Sequence, residues 1–271
     1  MFEREYFRFW FFLVCFTTVF LTSCGDDESS IAKSKNRIEY SVLEDVRDGQ
    51  TYKTVKIGNQ WWMAENLNYS YHEGSAKSFC YKNNSKNCDL YGRLYTWSAA
   101  MDSAAIFSTD GKDCGDDIDI YSETKCNPDY PVRGVCPEGW HLPSLEEFEI
   151  MLDLVGEPLA EENNYRWANA GKLLKSPDGW CDEIWVENEK IPCGGSDDFG
   201  FSALGGGGCD FTGDFEKMEL YAFFVSSTRG YAFGSDVYRV HTLELSAGGG
   251  TAEIIGKYVQ KSAYSVRCVK D

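Results

Sequence analysis

A histidine and several carboxylates lie close together in the segment 134–150, GVCPEGWHLPSLEEFEI. His141, Glu146 and Glu147 have the chemistry for acid–base catalysis or for holding a metal ion, because imidazole and carboxylate groups serve both purposes. A zinc site needs three or four protein ligands, however, and the other histidines, His72 and His241, are distant in sequence. The segment therefore favours a structural histidine over a metal-binding or catalytic one.

The same segment has the features of a helix N-terminus. Ser144 and Glu147 have the spacing of a capping box, in which each side chain accepts a hydrogen bond from the backbone N–H of the other residue. Apolar residues then recur at helical spacing: Leu145, Phe148, Leu152 and Val155. Gly156 occupies the usual place of a left-handed residue that ends a helix. We therefore expect the glutamates here to be engaged by backbone groups and water.

Other segments match reactive motifs only in part. Ser202, in GFSALGG, lacks the glycine spacing of the hydrolase motif G-x-S-x-G. Gly205–Gly208 lacks the Lys-Ser/Thr of a phosphate-binding loop, so a flexible surface loop is expected.

An acidic loop at 108–124 offers oxygen ligands for calcium, but without the spacing of an EF-hand. Its aspartates are Asp110, Asp113, Asp116, Asp117 and Asp119. We expect a solvated acidic surface and no cofactor, with calcium at this loop as the alternative.

Aromatic residues make up 15% of the chain, and exposed rings can stack on the C–H faces of sugars. In a predicted hairpin at 51–64, with Gly58-Asn59 at the turn, Trp61 and Trp62 point to opposite faces. We assign both as candidate ligand-binding residues, although one is expected in the core. Core filling is the alternative for Trp62, Trp97, Trp140 and Trp167.

The N-terminus resembles a bacterial lipoprotein signal. Arg4 and Arg8 precede an apolar run at 9–21, which is shorter than a membrane span of about 20 residues. Leu21-Thr22-Ser23 then leads into Cys24, the residue that carries lipid, including palmitate, in such proteins. We predict a signal peptide at 1–23, a lipid-anchored flexible tether at 24–48 and export to the outer membrane. A soluble secreted product is the alternative.

The cysteines also indicate export. Removing Cys15 with the signal and Cys24 with the lipid leaves nine of the 11 cysteines. In an exported chain this density favours disulfides. Short polar loops suggest three local pairs: Cys80–Cys88, Cys114–Cys126 and Cys181–Cys193. None of the cysteines has the C-x-x-C spacing that zinc sites favour.

Charge and periodicity limit the class of protein further. The net charge of −17 argues against a nucleic-acid partner, because phosphate binding needs clustered Lys and Arg. Residues 49–271 are expected to form one domain. Strand-like segments at 221–228, 238–245 and 264–269 alternate with short helices expected at 91–101, 145–155 and around Leu173. This mixture predicts an α+β domain with two or three helices, short antiparallel strands and long loops.

Five ordered segments carry a resemblance to a known family: DGQTYKTVKIGNQWWMAENLNY, CDLYGRLYTWSAAM, YPVRGVCPEGWHLPSLEEFE, VSSTR and AYSVRCVKD. Together they resemble the Fibrobacter succinogenes major paralogous domain, from about Asp48 to Asp271. GWHLPSLEEFE is also similar to the GWRLPTEAEWE segment of formylglycine-generating enzymes. The resemblance implies a C-type-lectin-like, sulfatase-modifying-factor-like fold. It also implies that Cys136 pairs with Cys268, which leaves Cys209 as the unpaired thiol.

The sequence departs from the chemistry of these relatives. It lacks the copper-binding C-x4-C pair of formylglycine-generating enzymes, the histidine-rich iron site of ergothioneine-type oxidases, and the calcium-binding triplets of C-type lectins. We therefore expect a non-enzymatic envelope protein that binds a polysaccharide or a surface protein. The alternatives are an oxidase or hydrolase on this scaffold, and a structural surface component without a dedicated ligand.

Overall fold

Two β-sheets form most of the folded structure. The computed structural model describes residues 37–115, 126–159, 165–231, 238–258 and 262–271. The smaller sheet contains, in spatial order, β1 (Tyr40–Asp45), β2 (Gln50–Ile57), β3 (Gln60–Met63), β18 (Val269–Lys270) and β7 (Trp140–His141). The first strands of the domain therefore pair with its last strand.

The larger sheet contains eleven of the described strands. In spatial order its main path is β4 (His72–Glu73), β5 (Ala76–Phe79), β6 (Leu94–Thr96), β17 (Ala263–Ser265), β14 (Tyr221–Tyr231), β15 (Tyr238–Ser246), β16 (Ala252–Lys257), β9 (Arg166–Ala168) and β8 (Glu157–Pro158). The strands β12 (Gly208–Cys209) and β13 (Phe215–Glu216) pair with each other, and β12 also pairs with β17. A separate hairpin consists of β10 (Glu183–Val186) and β11 (Glu189–Pro192).

The helices are short, with one exception. They are α1 (Ser85–Tyr91), α2 (Trp97–Ala100), α3 (Leu145–Val155) and α4 (Ala170–Leu174), with a 3₁₀ turn at Tyr81–Asn83. The described residues thus contain four α-helices, where two or three were expected. The α+β class is confirmed.

The longest of these helices, α3, begins as the sequence predicts. Ser144 Oγ accepts from the N–H of Glu147 at 3.2 Å, and Glu147 Oε2 accepts from the N–H of Ser144 at 2.8 Å. Phe148, Leu152 and Val155 are buried, as is Met151, whereas Leu145 is half-buried. The capping box and most of the apolar stripe are therefore confirmed.

The helix ends differently from the prediction. Gly156 has φ −125°, an extended conformation, so the expectation of a left-handed residue is wrong. Glycine is required there because of crowding: a Cβ would lie 2.6 Å from the carbonyl oxygen of Ala168 and 2.7 Å from Cβ of Ala170. The absent side chain lets α3 end against β9 and the start of α4.

A core of aromatic and aliphatic side chains lies between α3 and the two sheets. The rings of Trp62 and Phe148 stack with their centroids 5.4 Å apart, and Phe201 meets Trp62 edge-on at 6.1 Å. Phe224 and Leu243, from β14 and β15, belong to the same cluster and are fully buried. Residues on a strand alternate between faces, so the other face of β14 and β15 carries buried Phe223, Val225 and Val240 of a second core cluster, together with polar side chains such as Glu244.

Four disulfides cross-link the described residues. They are Cys80–Cys88, Cys114–Cys126, Cys136–Cys268 and Cys181–Cys193, the pairs suggested by the sequence and by the family resemblance. Cys136–Cys268 joins the segment before α3 to the segment before β18. The remaining cysteine of the described residues, Cys209, is buried and has a free thiol whose pKa burial raises to about 11.

Two predicted boundaries need correction. Tyr40–Asp45 pairs in register with Gln50–Val55 and belongs to the compact unit Ile38–Asp271, so the predicted tether 24–48 ends earlier than expected and the domain begins before residue 49. The predicted strand at 264–269 is two short strands, because fully buried Arg267 lies between β17 and β18 and bonds Asn66 and the carbonyls of Phe201 and Ser202.

The glycine run Gly205–Gly208 is buried, so the expected flexible surface loop is wrong. Gly207 has φ +62°, and a Cβ there would approach the backbone N of Met218 to 2.7 Å. The glycines allow two backbone segments to pack against each other, which composition alone does not distinguish from flexibility.

Candidate functional site

Both ring nitrogens of His141 make hydrogen bonds to carboxylates. Nε2 lies 2.7 Å from Glu147 Oε1, and Nδ1 lies 2.6 Å from Oδ1 of Asp271. Burial alone would lower the pKa of His141, but the hydrogen bonds and charges of the two carboxylates raise it overall. Burial would likewise raise the pKa of Glu147, whereas His141 and the Ser144 cap lower it. The histidine joins α3 to the C-terminal residue, which fits the structural role predicted for it.

Trp61 and Trp62, the candidate ligand-binding residues, differ in burial. Trp62 is fully buried against Phe148 and Phe201, and Trp61 is partly buried against the neighbouring core cluster. Trp62 therefore presents no free ring face, whereas Trp61 keeps part of its surface exposed, and its role in ligand binding stays a prediction. Trp97, Trp140 and Trp167 are buried too, as the core alternative expected.

The other sequence motifs bring no reactive cluster together. Ser202 Oγ donates to Asp197 Oδ2 at 2.7 Å, a contact that holds a tight turn. Asp110 and Asp113 lie in the described part of the acidic loop, whereas Asp116, Asp117 and Asp119 lie outside the described residues. Across the described ranges no three metal-ligating side chains are grouped to hold an ion. Cys24 and the predicted signal peptide lie outside the described residues as well.

A polar pocket of about 280 Å³ opens on the face of the larger sheet opposite the α3 core. We call it the sheet pocket, and it is lined by Arg166, Tyr221, Glu244, Ser246, Gly249, Thr251 and Glu253. Its residues come from β9, β14, β15, β16 and the turn between β15 and β16. Their alternation with buried Leu243, Leu245 and Ile254 explains why they share the outer face.

Register places four side chains of this pocket region in one row across four strands. Phe223 pairs with Glu244, Glu244 with Glu253, and Glu253 with Arg166. Directly opposite residues on antiparallel strands have Cβ atoms about 4.5–5.5 Å apart, and like charges in such positions destabilise a sheet. The two glutamates are therefore held close together at a cost in stability.

A cation balances each glutamate. Lys257 Nζ lies 3.0 Å from Glu244 Oε2, and Arg166 Nε lies 2.9 Å from Glu253 Oε1. The same Lys257 lies 4.5 Å from the ring centroid of Phe223, while Lys217 lies 4.6 Å from that of Tyr221. The lining of the pocket therefore combines two carboxylates, the guanidinium of Arg166, hydroxyl groups and the ring of Tyr221. Lys257 balances Glu244 from outside the lining, so the two ion pairs add no net charge.

Comparison with protein families gives a match over residues 55–270, to the model described as the Fibrobacter succinogenes major domain. The chain belongs to this family. Comparison with curated proteins and with solved structures found no significant match.

The Fibrobacter succinogenes major domain includes every residue of the sheet pocket and all four disulfides. The pocket residues could not be predicted from the sequence, because they are separated by as many as 87 positions and meet only through strand register. The alternation in HTLELS and TAEII was the available signal, since it places Glu244 and Glu253 on the faces opposite the leucines and isoleucine. Among the described residues no helix has both the length and the apolar character needed to cross a bilayer.

Proposed function

We propose that this protein is an exported, lipid-anchored envelope protein whose Fibrobacter major domain binds glycans without modifying them. The opposed pair Glu244 and Glu253 carries the proposal. Keeping like charges opposite each other costs stability, and stability is commonly given up where a site needs a fixed constellation of groups. Glu244 and Glu253 both line the sheet pocket, a concave polar site on the described surface.

The chemistry of the sheet pocket suits a neutral sugar. Sugar hydroxyls donate to carboxylates and accept from guanidinium groups, and the pocket is lined by two glutamates and Arg166. A ring wall such as Tyr221 packs on sugar C–H groups. The volume of about 280 Å³ lies near the lower end of small-molecule sites, which fits one sugar unit better than a large cofactor. The overall charge of −17 disfavours strongly acidic polysaccharides.

Glycoside hydrolysis would use the same two carboxylates in a different way. It needs one carboxyl group that holds a proton for the leaving oxygen. Glu244 and Glu253 each face a cation, an arrangement that serves hydrogen bonding to hydroxyl groups. We therefore propose binding, independent of a metal cofactor, and not catalysis.

The fold is part of the proposal. We propose a C-type-lectin-like, sulfatase-modifying-factor-like arrangement. Supporting observations are the pairing of β3 with the C-terminal β18, the GWHLPSLEEFE entry into α3, and the disulfide Cys136–Cys268 near both. We also propose that residues 1–23 act as the signal, that Cys24 carries the lipid, and that the protein resides in the outer membrane.

The test is binding of the purified full chain to a panel of immobilised neutral and acidic polysaccharides, with calcium and with a chelator. We expect chelator-resistant binding to a neutral glycan, lost in Glu253→Gln. The matched control is Glu39→Gln, which removes an exposed glutamate that is ion-paired with Lys56 on the other sheet. Equal binding by wild type and Glu253→Gln, or release of reducing sugar from the bound glycan, would contradict the proposal.

A further inference from the structure

A second cavity, of about 500 Å³, opens beside the disulfide Cys181–Cys193, and we call it the disulfide cavity. Its walls are the segments 177–182 and 192–196, without Cys193, together with Lys172 of α4. The exposed polar residues among them are Lys172, Asp178, Asp182 and Ser196. Buried Trp180 forms part of the wall and is fixed by its Nε1, which donates to the carbonyl of Ala203 at 2.9 Å.

Residues of both cavities adjoin one turn. Gly249 and Thr251, in the turn between β15 and β16, line the sheet pocket. The backbone N–H of Lys172, a residue of the disulfide cavity, donates to the carbonyl of Gly250 in the same turn at 3.2 Å. Gly250 is exposed and has no side chain, so it adds no side chain to the surface of this turn.

A buried ammonium group fixes the walls of both cavities to each other. Lys175 is 2% exposed, and the three N–H groups of its Nζ are shared among four carbonyl oxygens within hydrogen-bond distance, those of Cys193 (3.0 Å), Ser246 (2.8 Å), Ala247 (3.0 Å) and Gly249 (3.1 Å). Cys193 precedes the Gly194-Gly195 wall of the disulfide cavity, whereas Ser246 and Gly249 line the sheet pocket. One side chain therefore holds the separation of the two cavities constant.

The hairpin of β10 and β11 supports the turn from the other side. A Cβ at Gly248 would lie 3.0 Å from Val186 Cγ2 and 3.3 Å from Ile184 Cγ2, so these two side chains pack on the turn. The disulfide Cys181–Cys193 joins the segments that flank this hairpin. Preorganised walls of this kind reduce the ordering cost of a bound ligand.

We propose that the disulfide cavity is a second sugar-binding subsite. The ligand is then a neutral oligosaccharide chain that crosses the turn between β15 and β16 from one cavity to the other. This inference rests on the proposed function of the sheet pocket. The rim of the disulfide cavity supplies the same chemistry: carboxylates that accept from hydroxyl groups, a lysine that donates and a serine that does both. Lys175 is a positioning residue of this extended site, because it contacts the walls and not the sugar.

The experiment measures binding of the purified full chain to oligosaccharide ladders of glucose, xylose, mannose and N-acetylglucosamine, from one to six units. In the series that binds, we expect affinity to rise about tenfold or more as the chain becomes long enough to reach the second subsite, and then to level off. Two variants should abolish this increase in affinity with chain length and leave binding of the shortest ligand unchanged. Ser196→Trp fills the disulfide cavity from an exposed position, and Lys172→Met removes its lysine. Lys190→Met, an exposed lysine of β11 outside both cavities, is the matched control.

The outcomes separate the two proposals. Affinity that does not depend on chain length, or that Ser196→Trp and Lys172→Met leave unchanged at every length, would overturn the second subsite while keeping the sheet pocket. Absence of binding in all four series would overturn both. Circular dichroism and thermal melting of each variant establish that it is folded, so that a lost rise in affinity reports on the subsite.

Discussion

Glu244 and Glu253 stand directly opposite each other on β15 and β16, each balanced by one cation from a neighbouring strand position. A sheet selected for stability alone would place opposite charges or apolar side chains there. The register of the larger sheet therefore places both glutamates in the lining of the sheet pocket.

Glu253→Gln is expected to change the thermal stability of the chain little, because relief of the like-charge contact with Glu244 offsets the weakened ion pair with Arg166, each about 0.2–1 kcal/mol. The same change should weaken glycan binding about tenfold or more, since a hydrogen bond to a charged acceptor is worth about 1.5–3 kcal/mol. Thermal melting and isothermal titration on the same preparation check both effects. A parallel loss of stability and binding would indicate that Glu253 serves the fold.

His141 should make stability depend on pH in a defined direction. Its pKa in the folded chain is raised above the usual 6.5, so its contribution is complete below that value and is lost as pH rises through the folded pKa. The pKa of Glu147 is lowered from 4.5, so its contribution is present above 4.5 and is lost as pH falls through the folded pKa. The contacts of His141 with Glu147 and Asp271 therefore stabilise the fold most between about pH 4.5 and 6.5.

His141→Gln is expected to flatten that profile and to cost about 2 kcal/mol at pH 6, the scale of a charge-assisted hydrogen bond in a buried site. Denaturant unfolding from pH 5 to pH 9 measures the profile, with His72→Gln as the control because His72 is exposed. If the curves of unfolding free energy against pH stay parallel for wild type and His141→Gln over the whole range, His141 does not set the pH dependence of stability.

Lys175→Met should destabilise the chain by about 3 kcal/mol, because four buried carbonyls lose their donor while the methionine fills a similar volume. Lys172→Met is the matched control, since Lys172 is exposed and lies on α4, which ends next to Lys175. Denaturant unfolding measures the difference. Similar stabilities for the two variants would show that the four carbonyls find other partners.

The disulfides should differ in their contributions. In the loop-entropy relation, the 132-residue separation of Cys136–Cys268 corresponds to about 5 kcal/mol, and the 8-residue separation of Cys80–Cys88 to about 2.5 kcal/mol. We therefore expect Cys136→Ser with Cys268→Ser to destabilise more than Cys80→Ser with Cys88→Ser. Unfolding of both double variants by denaturant checks the order, and the reverse order would show that native-state contacts outweigh loop closure.

Cys24→Ser tests the predicted anchor. The wild-type chain should incorporate radiolabelled palmitate and partition into the outer membrane, because several acyl chains bind a bilayer firmly. The variant should lose the label and the membrane association. Cys209→Ser is the control, since Cys209 is a buried thiol with no disulfide. A variant that is labelled like the wild type would place the lipid elsewhere.

The features that the sequence predicted are local or carried by the family resemblance. The capping box at Ser144, the hairpin turn at Gly58-Asn59 and the three short disulfide loops each depend on residues at most twelve positions apart. Cys136–Cys268 spans 132 positions and came from the resemblance. Strand alternation placed Trp61 and Trp62 on opposite faces, but it did not show that both rings pack against core clusters.

The sheet pocket was not predicted because its residues meet through the register of distant strands, which is fixed by the buried face and not by the outer one. The buried glycines Gly205–Gly208 show the same limit. Their sequence fits an open loop, whereas the fold uses them for close approach of backbone segments.

Binding of the purified full chain to the neutral-oligosaccharide ladders, measured side by side for wild type, Glu253→Gln and Glu39→Gln, decides whether the sheet pocket is a glycan site. We expect wild type and Glu39→Gln to bind the same ladder with equal affinity, Glu253→Gln to bind it about tenfold or more weakly, and no sugar to be released. Equal binding by all three proteins, or binding by none, would contradict a glycan site between Glu244 and Glu253.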